Sequence, residues 1–269
     1  LLCKNSKEER VVLKFGERVI YSDNIKTKKI LELFHKYSLE NTLVPKLVSF
    51  AKENDPMQYI ITTYIEGDMP SWSEFDNSPS WGGRGINLEY LPYVTKAFED
   101  IESIDHEKTG LGYNTNLIVA AYKRLEELVQ KNLITRNTAN QIEGLLKTNE
   151  GHKNKTNLTV TNGDFYPRNV LTTDRNKTLV IDWDFARIET KEHVFMYFWC
   201  CMFGNQEFQR GLYDYYSQRI DFEPEQMKFG LIMAVMDDIG IWLSDKNCSQ
   251  VLEKHIHYLK NFDSIEKLF

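Results

Sequence analysis

The chain has 269 residues, 42% of them hydrophobic and 27% charged, with a net charge of -6 at pH 7. That size and apolar fraction suffice for one large domain or two lobes with a proper core. The acidic balance argues against a nucleic-acid surface and a polybasic membrane anchor, and mildly favours a neutral or cationic small-molecule partner.

Four cysteines, Cys3, Cys200, Cys201 and Cys248, show no paired zinc spacing. The adjacent pair sits in an apolar run and reads as small core residues in a reducing cytosol. The longest apolar run, 195–203, is too short to span a bilayer, and no signal-peptide pattern opens the chain. The expectation is a cytoplasmic protein with no membrane partner, so the sequons at Asn154, Asn157, Asn176 and Asn247 read as chance. The chain opens at Leu1 in what reads as mid-strand, and residues are expected to precede it.

Leu1 to Cys3 and Val11 to Phe15 flank a charged turn and predict a β-hairpin, with Lys14 inside its second strand. A lysine there can simply point outward on an amphipathic strand. Ser22 and Asp23 can cap a helix from Ile25 to about Tyr37, whose apolar stripe is Ile30, Leu31, Leu33, Phe34 and Tyr37. Glu32 falls opposite that stripe and should face solvent. Strands follow at Leu47 to Phe50 and Tyr59 to Ile65, the second running into Glu66-Gly67-Asp68. Met69 to Asn87 is rich in Ser, Pro, Gly and Trp and reads as a surface insertion; its Gly cluster at 82–85 lacks the lysine-hydroxyl ending of a phosphate loop. Apolar residues at three- and four-residue spacing then predict helices over Leu88 to Ile104, Leu117 to Gln130 and Thr138 to Lys147.

The next stretch, Thr161 to Asp184, carries the chemistry. Val170 to Thr173 and Thr178 to Ile181 are β-branched runs separated by Asp174 to Lys177, which predicts a second hairpin. With a symmetric four-residue turn, Thr173 opposes Thr178 and Asn169 comes opposite Asp182, their Cβ atoms about 5 Å apart. An amide oxygen beside a carboxylate suits Mg²⁺, which takes one or two protein ligands and fills its shell with water and phosphate oxygens. Pro167 breaks any helix between Asp164 and Asn169, so Asp164 lies on a loop that can fold back toward this pair as a base. Singly, each residue reads better as a turn or cap residue. Together they are the parts of kinase-type phosphoryl transfer.

Beyond Asp184, the run 195–203 predicts a buried helix, its aromatics reading as core in place of a cage for a quaternary ammonium. Phe208 to Gln218, Glu223 to Ser244 and Cys248 to Phe262 predict further helices. Asp237 and Asp238 read as a solvated helix edge, or alternatively as a contact for a cationic substrate.

The segment from Asn162 resembles the Brenner-type signature of the aminoglycoside phosphotransferase and choline kinase superfamily, small-molecule kinases with a protein-kinase-like fold. That signature runs His-Gly-Asp, four residues, Asn, then a strand ending Ile-Asp-Trp-acid; Asp164, Asn169, Asp182 and Asp184 match it, and Asn162 replaces the His that steadies the loop. The resemblance implies Asp164 as catalytic residue, Asn169 and Asp182 as metal ligands, and Lys14 pairing with nucleotide phosphates. Backbone groups around Thr63 and Ile65 would hold adenine at the interlobe hinge. Alignment on Leu33-Phe34 and Val44-Pro45 puts Thr27 where the family carries the Glu that holds the lysine, so that ion pair is absent or remade by another residue.

The expected fold is α+β and protein-kinase-like: a small antiparallel nucleotide-binding lobe over 1–67, lacking its first strand, and a mainly helical lobe over 68–269 carrying the catalytic loop and metal site. The expected activity is phosphotransfer from ATP, or GTP, with Mg²⁺ to a hydroxyl of an aminoglycoside-, choline- or sugar-like acceptor. A pseudokinase-like nucleotide-binding module is the alternative, for which Asn162 and Thr27 speak. A protein kinase is disfavoured, because Ile181-Asp-Trp-Asp184 stands in place of Asp-Phe-Gly.

Overall fold

The computed structural model describes residues 1–15, 21–37, 39–68, 86–113, 115–150, 157–173, 176–243 and 249–268. The Gly cluster at 82–85 and Cys248 lie outside them. The chain divides into two compact units, one formed by Leu1–Pro70, Pro92–Gly112 and Thr159–Ile188, the other by Ser71–Leu91, Tyr113–Leu158 and Glu189–Phe269.

The first unit opens with the predicted hairpin, β1 (Leu2–Lys4) and β2 (Arg10–Phe15), in the register Leu2 to Val12. It continues through α1 (Tyr21–Tyr37), β3 (Thr42–Leu43), β4 (Leu47–Phe50) and β5 (Tyr59–Thr63). Strands β1, β2, β5 and β4 form an antiparallel sheet in that order. Val12 lies opposite Thr62 and Lys14 opposite Ile60. Because strand side chains alternate faces, these four share one side of the sheet. In α1 the backbone is already helical at Ser22 and Asp23, ahead of the predicted cap. Its inward stripe is Asn24, Thr27, Ile30, Leu31 and Phe34, all buried, with Glu32 exposed as its angular position requires.

Helix α2 (Leu91–Glu102) follows a short 3₁₀ turn, and Asp100 on it is buried. Its carboxylate accepts the amide of Asn41 at 2.7 Å, and the Asn41 carbonyl accepts from Thr178. This holds β3 parallel to β8 (Thr178–Val180), which pairs antiparallel with β7 (Val170–Thr172). A two-residue strand pairing with a segment far along the chain leaves no local pattern, and the sequence did not predict it. Strand β6 (Leu158–Thr161) pairs with β9 (Arg187–Thr190).

The second unit is helical, with α3 (Thr115–Gln130), α4 (Arg136–Glu150), α5 (Lys191–Cys201), α6 (Gln206–Ser217), α7 (Pro224–Trp242) and α8 (Ser249–Lys260). Phe195, Phe198 and Trp199 are wholly buried and belong to the core, while Tyr197 is half-buried. Helices α5 and α7 approach so closely that a Cβ on Gly230 would meet the Glu192 backbone at 2.5 Å. Gln209, also fully buried, donates to the Trp199 carbonyl at 3.1 Å and the Tyr258 hydroxyl at 2.9 Å, satisfying polar groups that burial would otherwise penalise. Asp237 and Asp238 are not a solvated edge: Asp238 lies 3.0 Å from the buried His255 and Asp237 3.8 Å from the buried His193. Cys3, Cys200 and Cys201 are free thiols. Among the described residues, no helix is long and apolar enough to cross a membrane.

Candidate functional site

A single loop and the hairpin after it carry Asp164, Asn169 and Asp182, and Lys14 reaches Asp182 from β2; Asp164 and Asn169 pair with each other and do not line the cavity beside Lys14. Gly163 opens the loop with φ +82°, and a Cβ there would sit 2.2 Å from the Phe185 carbonyl oxygen. Only glycine meets both demands. Tyr166 N–H then donates to the Asp164 carbonyl and Asn169 N–H to the Tyr166 carbonyl, each at 2.8 Å. Pro167 starts a 3₁₀ turn over Pro167–Asn169, where its missing N–H costs nothing. This fold-back carries Asn169, 5% exposed, onto Asp164: its amide nitrogen lies 2.9 Å from both the Asp164 carbonyl and Asp164 Oδ2. Arg168 adds a guanidinium 3.7 Å from the same carboxylate oxygen.

Asn162 does the loop-holding. It is fully buried, donates to the Ile181 carbonyl at 2.9 Å and the Asp164 carbonyl at 3.1 Å, and accepts the Asp164 amide at 3.3 Å. One short side chain thereby ties the Asp164 loop to the residue preceding Asp182.

The hairpin register differs from the expected one. Val170 pairs with Val180 and Thr172 with Thr178, so Asn169 faces Ile181, whose N–H donates to the Asn169 carbonyl at 3.0 Å. Thr173 is not in the ladder; its N–H donates to the Lys177 carbonyl at 3.0 Å, and Asn176 is left-handed with φ 53°. The turn therefore holds one residue more than a symmetric reading gives, and a one-residue slip moves every later side chain to the other face. Asp182 does not continue the strand. Its φ of +61° is left-handed, a conformation aspartate tolerates at modest cost and one that clusters at functional sites.

So turned, Asp182 meets Lys14. The ammonium lies 2.5 Å from Asp182 Oδ1 and 3.0 Å from Asp184 Oδ2. Burial acts to lower the lysine pKa, and the charges of Asp184 and Asp182 outweigh it, leaving the group raised above its ordinary value. Thr27 faces the same place from α1 but pairs with neither: its hydroxyl reaches the Trp183 carbonyl at 3.4 Å. A cavity of about 160 Å³ opens here, lined by Val12, Lys14, Ile60 and Thr62 from the sheet, Thr27 and Leu31 from α1, and Ile181 to Asp184. Apolar walls with a few convergent charges are the usual make-up of a ligand pocket.

Thr63 and Ile65 are not among the cavity-lining residues; they follow from the other face and end of β5, and the Thr63 amide donates to the Lys46 carbonyl at 2.8 Å. The sequence reading missed Asp184 as a partner of Lys14, since nothing local links residues so far apart. It also missed Arg187, which donates to the Gly163 carbonyl at 3.2 Å. Among the described residues no three His, Cys, Asp or Glu side chains gather as metal ligands. Mg²⁺ needs only one or two, and Asp182 and the side-chain amide oxygen of Asn169, whose nitrogen donates to Asp164, are hard oxygen donors of the right kind, although the register sets Asn169 opposite Ile181 and not Asp182.

No protein-family model and no curated protein matches this chain. Solved structures do match. A thermostable mutant of aminoglycoside phosphotransferase APH(4)-Ia, in ternary complex with ADP and hygromycin B, aligns over 99% of this chain and 94% of its own, with a TM-score of 0.62 at 14% identity. An aminoglycoside 2″-phosphotransferase bound to GDP and kanamycin aligns over 98% and 92%, with a TM-score of 0.60 at 15% identity. A macrolide 2′-phosphotransferase from Brachybacterium faecium aligns over 97% and 86%, with a TM-score of 0.58 at 13% identity. These neighbours are small-molecule phosphotransferases. The likeness establishes the fold, which is α+β and protein-kinase-like, with a small antiparallel sheet and a largely helical remainder, as expected from the sequence.

Proposed function

We propose that this chain, with its protein-kinase-like fold, transfers the γ-phosphoryl group of ATP or GTP to a hydroxyl of a small molecule. The observation that carries the reading is the contact of Asn169 with the Asp164 carboxylate, 2.9 Å, on a loop bound through Asn162 to Ile181, the residue before Asp182. An acid aimed and held in this way suits a base for an alcohol.

In the proposed reaction the acceptor oxygen forms a bond to the γ-phosphorus as the bond to the nucleoside diphosphate breaks, and Asp164 takes the hydroxyl proton. Lys14 steadies the phosphates from β2, and backbone groups near Thr63 and Ile65 hold the base. Mg²⁺ on Asn169 and Asp182 would, when bound, neutralise charge on the transferring group. Positioning and fixed charge supply most of the acceleration in such transfers. Residues 1–67 would form the nucleotide lobe and 68–269 the helical lobe of a cytoplasmic enzyme. By analogy with neighbours that bind hygromycin B or kanamycin, the acceptor is a polyhydroxylated, amine-bearing or sugar-like molecule.

The second reading is a nucleotide-binding module without catalysis, favoured by Thr27 where an acid would hold Lys14. ADP release against a panel of hydroxyl acceptors separates the two. The enzyme reading expects acceptor-dependent release that Asp164→Asn removes; metal-dependent nucleotide binding without turnover on any acceptor would favour the module.

A further inference from the structure

Lys14 has a flexible four-carbon stem, and holding its ammonium in one place costs rotamer entropy unless fixed partners supply the geometry. Among the described side chains of helix α1, those that line the cavity are the uncharged Thr27 and Leu31, and Glu32 is exposed beside Lys28. Two carboxylates do the holding, Asp182 at 2.5 Å and Asp184 at 3.0 Å. They differ in what else they are for, since Asp182 has a second claimant in a bound cation.

Asp184, by contrast, sits on a fixed support. Trp183 before it is 2% exposed, donates its indole N–H to the Val180 carbonyl at 3.0 Å and packs on Phe34 with ring centroids 4.3 Å apart. The Trp183 carbonyl closes a turn by accepting the Ala186 amide at 3.1 Å. We propose that Asp184 is the positioning residue for Lys14, anchoring the ammonium from the same segment that carries Asp182 and keeping it in place when Asp182 turns to a cation. This rests on the phosphotransferase reading, and it removes the need for an acid on α1.

The test is a double-mutant cycle on the full chain with Asp184→Asn, Lys14→Met and the pair, and with Asp184→Glu as the conservative variant. Without ligand, Asp184→Asn should lower the melting temperature by about 2–4 °C in the wild-type background. In the Lys14→Met background it should be neutral or stabilising, because Asp182 and Asp184 are then like charges with no cation between them. Turnover should fall about tenfold with Asp184→Asn, the scale of losing one hydrogen bond to a charged group. It should fall no further when Lys14 is already Met, and Asp184→Glu should recover part of it. Equal losses in both backgrounds would overturn the proposal by making Asp184 a metal ligand or a merely structural group. If the wild type shows no stabilisation by ADP and Mg²⁺, the phosphotransferase reading fails on its own, while the ligand-free cycle still decides whether Asp184 and Lys14 are coupled.

Discussion

The amide nitrogen of Asn169 is 2.9 Å from the Asp164 carboxylate and the same distance from the Asp164 carbonyl, so one side chain fixes both the position and the orientation of the acid. The two are five residues apart, and the 3₁₀ turn at Pro167 brings them together. If Asp164 accepts the proton, Asp164→Asn keeps the shape and removes the acceptor. Turnover is expected to fall by about a hundredfold or more, the usual scale for losing a general base, with nucleotide-induced stabilisation retained. Steady-state ADP release and melting curves on the same preparation measure both.

Asn162 joins the Asp164 loop to Ile181, and Asn162→Ala would take the side-chain donor from the part-buried Ile181 carbonyl and the acceptor from the Asp164 amide. Each unsatisfied group costs about 1–3 kcal/mol, so a melting-temperature drop of several degrees is expected even without ligand. An unchanged melting temperature would show that the amide bridge contributes nothing to the fold.

Gly163→Ala places a Cβ 2.2 Å from the Phe185 carbonyl at a backbone angle of +82°. Strain and displacement together are expected to destabilise the protein by at least about 2 kcal/mol, read from urea unfolding. Asp182 is also left-handed, with φ +61°, and here the strain serves the site. Asp182→Gly relieves that strain but loses the ion pair with Lys14, so stability should change by less than about 1 kcal/mol in either direction while the Mg²⁺ dependence of nucleotide binding is abolished.

The second unit offers a pH test remote from the site. The Asp221 carboxyl is lowered to about 2, first by its hydrogen bond from Lys191, at 2.6 Å, and also by Arg219, against the opposing effect of partial burial. A depressed carboxyl pKa contributes stability that is complete above the ordinary value of 3.8 and disappears as pH falls toward 2. Asp221→Asn should be less stable than the wild type at neutral pH, and the gap should close on acidification between those two values. A gap independent of pH would remove the ion pair as its source.

Much of this site was legible because its signals are local. The spacing of Asp164, Asn169 and Asp182 and the intervening Pro167 are read within one stretch, and the inward face of α1 follows from its 3.6-residue period. The register of the β7–β8 hairpin was not legible. It depends on whether Thr173 joins the ladder or the turn, and hydrogen bonds to Lys177 decide that against the strand propensity of a threonine. Nor was the pairing of Lys14 with Asp184, or of Asn41 with Asp100, since both join elements that only the tertiary fold brings together.

Melting the purified protein with ATP and with GTP, each with and without Mg²⁺, tests the central claim most directly. At a nucleotide concentration one hundred times the dissociation constant, ligand binding stabilises by about 2.7 kcal/mol, a shift of several degrees. We expect that shift with at least one nucleotide, dependent on Mg²⁺ and lost in Asp182→Asn. The same melting temperature under all conditions, in a protein that is folded, would contradict the assignment of this site to phosphoryl transfer.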